Sequence, residues 1–280
     1  MEKFTLAIGQ LKPRLGDQVY NREQHLKIAQ RARNNGAQVI LFPELSMTGY
    51  SVRDLNSELA MEIDDKFFDP IRELSTQISI AAGAIIRDNA GGIHNALVYF
   101  EDGAVKHVHY KVYLPTYGLF EEQRYFLPGK RVKAFETKFG ILGMLICEDL
   151  WHVSLPYLLA LQGAEIILAS AASPTRLSGD TEGHPGYVIN SEQHRSLARL
   201  LSVYIAFAHR VGFEDGVNFW GGSEIVSPHG EVVAMAKLFD EDSIHWNIDP
   251  SEVERARVFA RHFLDENPEL VVTQLKELGY

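Results

Sequence analysis

A thiol, an amine and a carboxylate each follow a strand-like apolar run in this sequence. Cys147, the only cysteine, comes directly after the apolar run at positions 141–146. Strand ends are where α/β folds expose reactive groups. A nucleophilic thiol needs a base that accepts its proton and donors for the oxyanion that forms on its substrate. Cys147 is therefore a candidate nucleophile, and the alternative is a buried, inert thiol, since free cysteines are among the most buried residues.

Two further residues have the chemistry that such a thiol requires. Glu44 follows Phe42 and Pro43 at the end of an apolar run, where loss of water makes a carboxylate a stronger base. The alternative is a surface charge at a strand exit. Lys111 lies at the end of a stretch in which apolar and polar residues alternate. It is either an oxyanion donor or an edge-strand lysine that prevents sheet extension.

Together these residues resemble the nitrilase superfamily of carbon-nitrogen hydrolases, and the resemblance spans nearly the whole chain. That family uses a Glu, Lys and Cys triad in this chain order. Its patterns are similar to Phe-Pro-Glu at Glu44, Lys-x-x-Leu-Pro at Lys111 and Cys-Glu-Asp at Cys147. Within the superfamily, three segments are most similar to the glutaminase domain of glutamine-dependent NAD synthetase: Thr48-Gly49-Tyr50, Lys111 to Tyr117 followed by Phe120-Glu121-Glu122, and Cys147-Glu148-Asp149-Leu150-Trp151. The Ser-Gly-Gly-x-Asp-Ser loop of the synthetase domain is missing from this sequence, so we do not expect this chain to make NAD by itself.

The resemblance implies hydrolysis of a small-molecule amide through a thioester on Cys147. Glu44 would accept the thiol proton and pass it to the leaving amine. Lys111 and the backbone N–H of Glu148 would stabilise the oxyanion, and Glu122 would orient Lys111 or the substrate. No metal and no other cofactor is implied.

Five residues are candidates for the substrate pocket: Tyr117, Glu148, Trp151, Ser173 and Arg176. Arg176 would pair with a substrate carboxylate, and the alternative is a solvated loop arginine. The preceding segment 168–174 lacks the asparagine that many members of the family carry there. The use of glutamine as substrate therefore stays open.

The same residues leave two other functions open. A true nitrilase would use this triad to release an acid and ammonia from a nitrile, although Glu148 and Asp149 after the cysteine are more typical of amidases. An ammonia-supplying subunit would act only beside a synthetase partner. Separately, His107 and His109 share one strand face. No third metal ligand with suitable spacing is evident, so we interpret them as a histidine pair near Lys111.

The composition restricts the partners that this chain can have. It carries 27 Lys and Arg against 37 Asp and Glu, a net charge of −10, which argues against binding to nucleic acid or to an anionic membrane. One cysteine makes no internal disulfide, and the N-terminal residues lack a signal peptide's long apolar core. No apolar run approaches the roughly 18 residues of a membrane span. We therefore expect a cytoplasmic protein.

Short apolar runs alternate with longer amphipathic segments, which is typical of α/β folds, and the resemblance implies a four-layer αββα sandwich. Strands are predicted at 4–11, 38–42, 78–87, 94–101, 141–147, 164–169, 205–211, 224–227, 231–236 and 243–248. The residue pair Asp102-Gly103 predicts a hairpin. Helices are predicted from Val19 to the stop at Gly36, over 64–77 and 184–203, and from Ser154 and Pro250 onward.

We predict a single domain over residues 1–280, in which about 264–280 form a C-terminal tail. Leu270, Val271, Leu275 and Leu278 place an apolar stripe on a short helix in this tail. That stripe could pack on the domain or on a second subunit. We expect at least a homodimer, because subunits of similar proteins pair through helices.

Overall fold

The computed structural model describes residues 2–175 and 185–280. The strands of these ranges are β1 (Phe4–Gln10), β2 (Val39–Leu41), β3 (Ser79–Arg87), β4 (Ile93–Glu101), β5 (Ala104–Tyr110), β6 (Phe135–Thr137), β7 (Gly140–Ile146), β8 (Ile166–Ala171), β9 (Pro174–Thr175), β10 (Tyr204–His209), β11 (Val211–Glu214), β12 (Val217–Trp220), β13 (Glu224–Val226), β14 (Val232–Met235) and β15 (Asp242–Ile248). The α-helices are α1 (Gln18–Asn34), α2 (Asn56–Leu59), α3 (Asp69–Ser75), α4 (Ser154–Leu161), α5 (Pro185–Leu201), α6 (Pro250–Phe259) and α7 (Pro268–Glu277).

Two six-stranded mixed sheets form the centre of the fold. Their strand orders are β15-β1-β2-β3-β4-β5 and β14-β13-β10-β8-β7-β6. The central pairs β1–β2, β2–β3, β7–β8 and β8–β10 are parallel, and the outer strands pair antiparallel. Strands β2 and β8 are buried along their whole length, as strands covered on both faces of a sheet are.

The largest apolar core lies between the sheets, where Leu6 and Ile8 of the first sheet meet Leu145, Ile167 and Ile205 of the second. Helices α1 and α3 pack on the first sheet, and α4 and α5 pack on the second. This layering confirms the predicted αββα sandwich.

The buried face of α1 is partly polar. Val19 is 60% exposed, whereas Asn21 and His25 are buried. Asn21 Nδ2 donates to the backbone oxygens of Arg14 and Met47, and His25 Nε2 lies 2.8 Å from Ser46 Oγ. The first turns of α1 therefore pack through polar contacts, because their neighbour is a loop with free backbone groups and not an apolar strand.

Several boundaries also differ. The helix predicted over 64–77 is a 3-10 turn at Lys66–Phe68 followed by α3 with Pro70 in its first turn, where the missing N–H of proline is tolerated. The strand predicted over 205–211 ends at His209, and the chain enters a third small sheet of order β11-β12-β9. The helix predicted over 184–203 is α5, and its first predicted residue lies outside the described ranges.

The predicted hairpin at Asp102-Gly103 is confirmed. Both residues have positive φ angles, 50° and 80°, as a two-residue type I′ turn requires. The turn leads β4 into β5 and so places Lys111, the residue after β5, at the edge of the first sheet. At the other end of the chain, none of the residues of α7 is buried. No helix within 2–175 and 185–280 is both long and apolar enough to cross a membrane.

Candidate active site

Three strand ends bring Glu44, Lys111 and Cys147 into one buried region. Glu44 lies three residues beyond β2, Lys111 directly follows β5, and Cys147 directly follows β7. Glu44 and Lys111 are each 1% exposed, and Cys147 is 8% exposed. The alternatives of a surface carboxylate and a solvent-facing edge lysine are therefore wrong, although β5 is an edge strand.

Lys111 lies between two carboxylates. Its Nζ donates to Glu44 Oε1 and to Glu122 Oε1, both at 2.7 Å. Burial opposes a charge on Lys111, but the two carboxylates outweigh it and hold the pKa of Lys111 well above its usual value. Burial raises the pKa of Glu122 to about 7, against the opposing effect of Lys111. The site thus combines one firmly charged cation with two carboxylates.

Two more donors hold the Glu44 side chain in place. Asn95 Nδ2 donates to Oε1 at 2.7 Å, and the Ala172 N–H donates to Oε2 at 2.8 Å. With Lys111, three donors from three different segments bind one carboxylate. We did not predict Asn95, although an amide inside the apolar strand β4 is an available signal.

Glu122 has a second partner that was not predicted as a functional residue. The Tyr50 hydroxyl donates to Glu122 Oε1 at 2.6 Å, and the other oxygen, Oε2, has no hydrogen-bond partner in the described part of the chain. Burial, followed by the Glu122 charge, raises the pKa of Tyr50 well above its usual value, so this hydroxyl remains a donor. Glu122 thus bonds to Lys111 and Tyr50 through the same oxygen.

The turn that presents the thiol is strained. Cys147 has a φ of 47° and begins a 3-10 turn over Cys147–Trp151, a conformation that costs about 1–3 kcal/mol for a residue with a side chain. Its Sγ lies 3.4 Å from Ser173 Oγ. Burial and then the Glu44 charge raise the pKa of the Cys147 thiol to about 12, against the effect of Lys111. This environment therefore favours the protonated thiol.

The thiol opens into a cleft of about 300 Å³ with largely aromatic walls. The other residues that line it are Tyr117, Phe120, Glu148, Trp151, Ser173, Pro174, Thr175, Gly186, Asn190 and Trp220. Four predicted pocket residues are therefore beside the thiol, and Arg176 lies outside the described residues. Sequence reasoning missed Phe120, Asn190 and Trp220; Trp220 ends the short strand β12, which was not predicted. The Tyr117 hydroxyl donates to Glu148 Oε2 at 2.8 Å across one wall.

The two strand histidines have different partners. His109 Nε2 lies 2.8 Å from Asp149 Oδ2, whereas His107 stacks on Phe135 with ring centres 4.3 Å apart. Burial lowers the pKa of His107 to about 4. Among residues 2–175 and 185–280, no group of three or more His, Cys, Asp or Glu side chains is placed to hold a metal ion.

A two-sheet α/β sandwich in which a thiol, a lysine and two glutamates meet has the elements for hydrolysis of carbon-nitrogen bonds. Residues 5–258 match the carbon-nitrogen hydrolase family model. The chain therefore belongs to the carbon-nitrogen hydrolase family, and the resemblance and the enzyme class predicted from the sequence are confirmed.

Particular relatives differ in how much of their length this chain covers. The glutamine-dependent NAD(+) synthetase of Acinetobacter baylyi is 31% identical over 258 residues, which cover 89% of this chain and 45% of that protein. The citrullinase of Francisella tularensis is 29% identical over 256 residues, 87% of this chain and 88% of that protein. The structure of glutamine-dependent NAD+ synthetase from Acinetobacter baumannii is similar, with a TM-score of 0.81 and 29% identity over 90% of this chain and 47% of that chain. This chain thus spans less than half of these synthetases.

Proposed function

We propose that this protein hydrolyses a small-molecule amide through a thioester on Cys147 and releases ammonia or an amine. The observation that carries the proposal is the buried contact of Lys111 Nζ with Glu44 and Glu122, beside the only thiol. A cation, a base and a nucleophile are the three groups that this chemistry needs.

In the first half of the reaction, Cys147 Sγ bonds to the carbonyl carbon while Glu44 takes the thiol proton. The carbonyl oxygen becomes an oxyanion, which Lys111 Nζ and the Glu148 N–H stabilise. Glu44 then gives its proton to the leaving nitrogen, the C–N bond breaks, and the amine departs. The protonated resting thiol, with its pKa of about 12, makes a base in this step necessary.

In the second half, Glu44 takes a proton from water, and the resulting hydroxide attacks the thioester carbon. The C–S bond breaks, the acid leaves, and the thiolate recovers its proton from Glu44. Glu122 supports both halves, because its carboxylate keeps Lys111 charged and directed at the reacting atoms. Glu122 is thus the positioning partner of Lys111 in this mechanism.

The cleft favours a substrate with a short chain and a positively charged nitrogen. Tyr117, Trp151 and Trp220 offer ring surfaces, which attract cations, and Glu148 adds a carboxylate. The curated names of two relatives include glutamine and citrulline, and both compounds carry an ammonium group and a cleavable C–N bond. The match to the citrullinase covers 88% of that protein. Ureido compounds are therefore the second candidate substrate class.

A substrate panel tests the proposal. Ammonia release is measured for glutamine, asparagine, short aliphatic amides, dicarboxylic monoamides, citrulline, other carbamoyl amines and nitriles, with Cys147→Ala as the background. We expect a primary amide to give the highest kcat/KM. Faster turnover of a nitrile would identify a true nitrilase instead, and turnover that needs an added synthetase would identify an ammonia-supplying subunit. An inert thiol without turnover in any of these assays would contradict the proposal.

We also propose that the protein is at least a homodimer in the cytoplasm, without nucleic-acid or membrane partners. The side chains of Leu270, Val271, Leu275 and Leu278 on and beside α7 are 42–72% exposed, and burial of such a face against a second copy would stabilise it. Light scattering at micromolar concentration is expected to give at least twice the chain mass of 31.5 kDa. A monomeric mass would contradict the dimer.

A further inference from the structure

One buried carboxylate outside the proposed catalytic groups has four hydrogen-bond donors. Asp149 is fully buried. Its Oδ1 accepts from the N–H groups of Val112 and Tyr113, both at 3.0 Å. Its Oδ2 accepts from the Ile146 N–H at 3.1 Å and lies 2.8 Å from His109 Nε2. Both oxygens thus have hydrogen-bond partners. Three of these partners are backbone N–H groups, and the fourth is the ring of His109 on β5.

These donors belong to the two segments that carry the amine and the thiol. His109 precedes Lys111 by two residues on β5, and Val112 and Tyr113 follow it directly. Ile146 and Asp149 lie on either side of Cys147. A single side chain therefore fastens the lysine segment, before and after Lys111, to the turn of the nucleophile.

We propose that Asp149, together with His109, is a positioning pair that sets the place of the Lys111 amine relative to the Cys147 thiol. The inference rests on the proposed function, because it concerns the alignment of its oxyanion donor with its nucleophile. Neither side chain lines the cleft beside the thiol, so neither one touches substrate.

The strained nucleophile turn needs such a fastening. A residue with a positive φ persists only where its surroundings over-determine it, and Asp149 bonds back to Ile146 directly across the Cys147 turn. The same carboxylate holds the other segment, so relaxation of the turn would also release Lys111. Misplacement of a catalytic group by about 1 Å is enough to lower a rate about 10²-fold.

The first test is Asp149→Asn, which keeps the size of the side chain but replaces one acceptor oxygen with a donor NH₂. Either the Ile146 N–H or the Val112 and Tyr113 N–H groups then lose their acceptor. We expect kcat to fall about 10²-fold with KM within about 3-fold of the parent. An unchanged kcat, or a loss confined to KM, would overturn the inference.

A second pair of variants covers the case in which Asp149→Asn does not fold. His109→Gln keeps a nitrogen donor that can reach Asp149 Oδ2, whereas His109→Leu has none. We expect His109→Leu to lower kcat about 10-fold or more and His109→Gln to recover most of it. Equal kcat values for the two variants would show that the bond to Asp149 does not matter for the reaction.

The matched control for lost stability is Tyr204→Phe. The Tyr204 hydroxyl donates to Glu252 Oε2 at 2.6 Å, and Tyr204 is at the end of β10 remote from His209 and the cleft. Its removal deletes a partly buried hydrogen bond. We expect a lower melting temperature with kcat unchanged, which separates a general loss of stability from a loss of alignment.

Alkylation of the thiol by iodoacetamide makes the test independent of the substrate. Burial and Glu44 raise the pKa of the Cys147 thiol, and the Lys111 charge lowers it. Asp149→Asn is expected to free both the turn and Lys111, which changes the burial and the charge around the thiol, and we expect the rate of alkylation at pH 8 to differ from the parent's by about 3-fold or more. An unchanged rate would overturn the inference even if the wild type hydrolysed nothing in the panel. If the parent protein hydrolyses an amide and Asp149→Asn has the same kcat, the inference about Asp149 is wrong and the proposed function still stands.

Discussion

Replacement of Cys147 by alanine is expected to lower kcat/KM for the best amide by about 10⁴-fold or more, because a nucleophile that acts as part of a unit accounts for most of the chemical rate. Cys147 is the sole cysteine, so no other thiol can replace it. Its side chain is nearly buried, and loss of one sulfur atom there costs about 1 kcal/mol of stability. The folded variant should therefore be inactive.

The measurement combines kinetics with intact-mass spectrometry. Rapidly quenched wild-type protein is expected to carry the acyl group of the substrate, whereas Cys147→Ala is expected to carry none. Cys147→Ser is the matched control, since it replaces the thiol with a hydroxyl of similar size that is a far weaker nucleophile under these conditions. Substantial turnover by Cys147→Ala would contradict the thioester mechanism.

Replacement of Lys111 by methionine is expected to affect both activity and stability. Loss of one oxyanion donor lowers the rate about 10²- to 10³-fold. The same change leaves Glu44 and Glu122 buried without their cation, and removal of one partner from a buried ion pair costs about 3–5 kcal/mol. Urea unfolding and kcat/KM measure the two effects separately.

A double variant distinguishes a role in the reaction from a role in folding. In Lys111→Met with Glu122→Gln, one of the two unpaired carboxylates is replaced by a neutral group that still accepts a bond from Tyr50. We expect the free energy of unfolding to recover in part, while kcat/KM stays as low as in Lys111→Met. Activity that returned together with stability would show that Lys111 has only a structural function.

The pattern of apolar runs was sufficient to predict the layered fold, because β2 and β7 are apolar throughout, β8 has Ser170 as its single polar residue, and helix α4 separates β7 from β8. The pattern did not predict buried faces made of polar residues, and it missed several short strands. The face of α1 that contains Asn21 and His25 cannot be distinguished from a solvated face by hydrophobic periodicity. The strands β6, β9, β11 and β12 have two to four residues and were not predicted, although the similarly short β2, β13 and β14 were.

In the candidate site, too, some residues were predicted from the sequence and others were not. Glu44, Lys111 and Cys147 were found because each follows a strand-like stretch and because the three ordered motifs around them resemble those of a known family. Asn95 and Trp220 were missed because an amide and an indole are common elsewhere and only their neighbours give them a role. Nothing local in the sequence states that Asn95 donates to Glu44, 51 residues away.

Residue types and their order along the chain determined the family, the layered fold and the three reactive groups. Tertiary structure alone decided that Lys111 lies between Glu44 and Glu122, and that Asp149 joins the lysine segment to the nucleophile turn. The physical reason is that reactivity belongs to a side chain, whereas its protonation state and direction depend on burial and on partners brought from distant segments. Distances of 2.7 Å between these charged groups arise only when the chain folds and brings the ends of β2 and β5 and the 3-10 turn at Glu122 together.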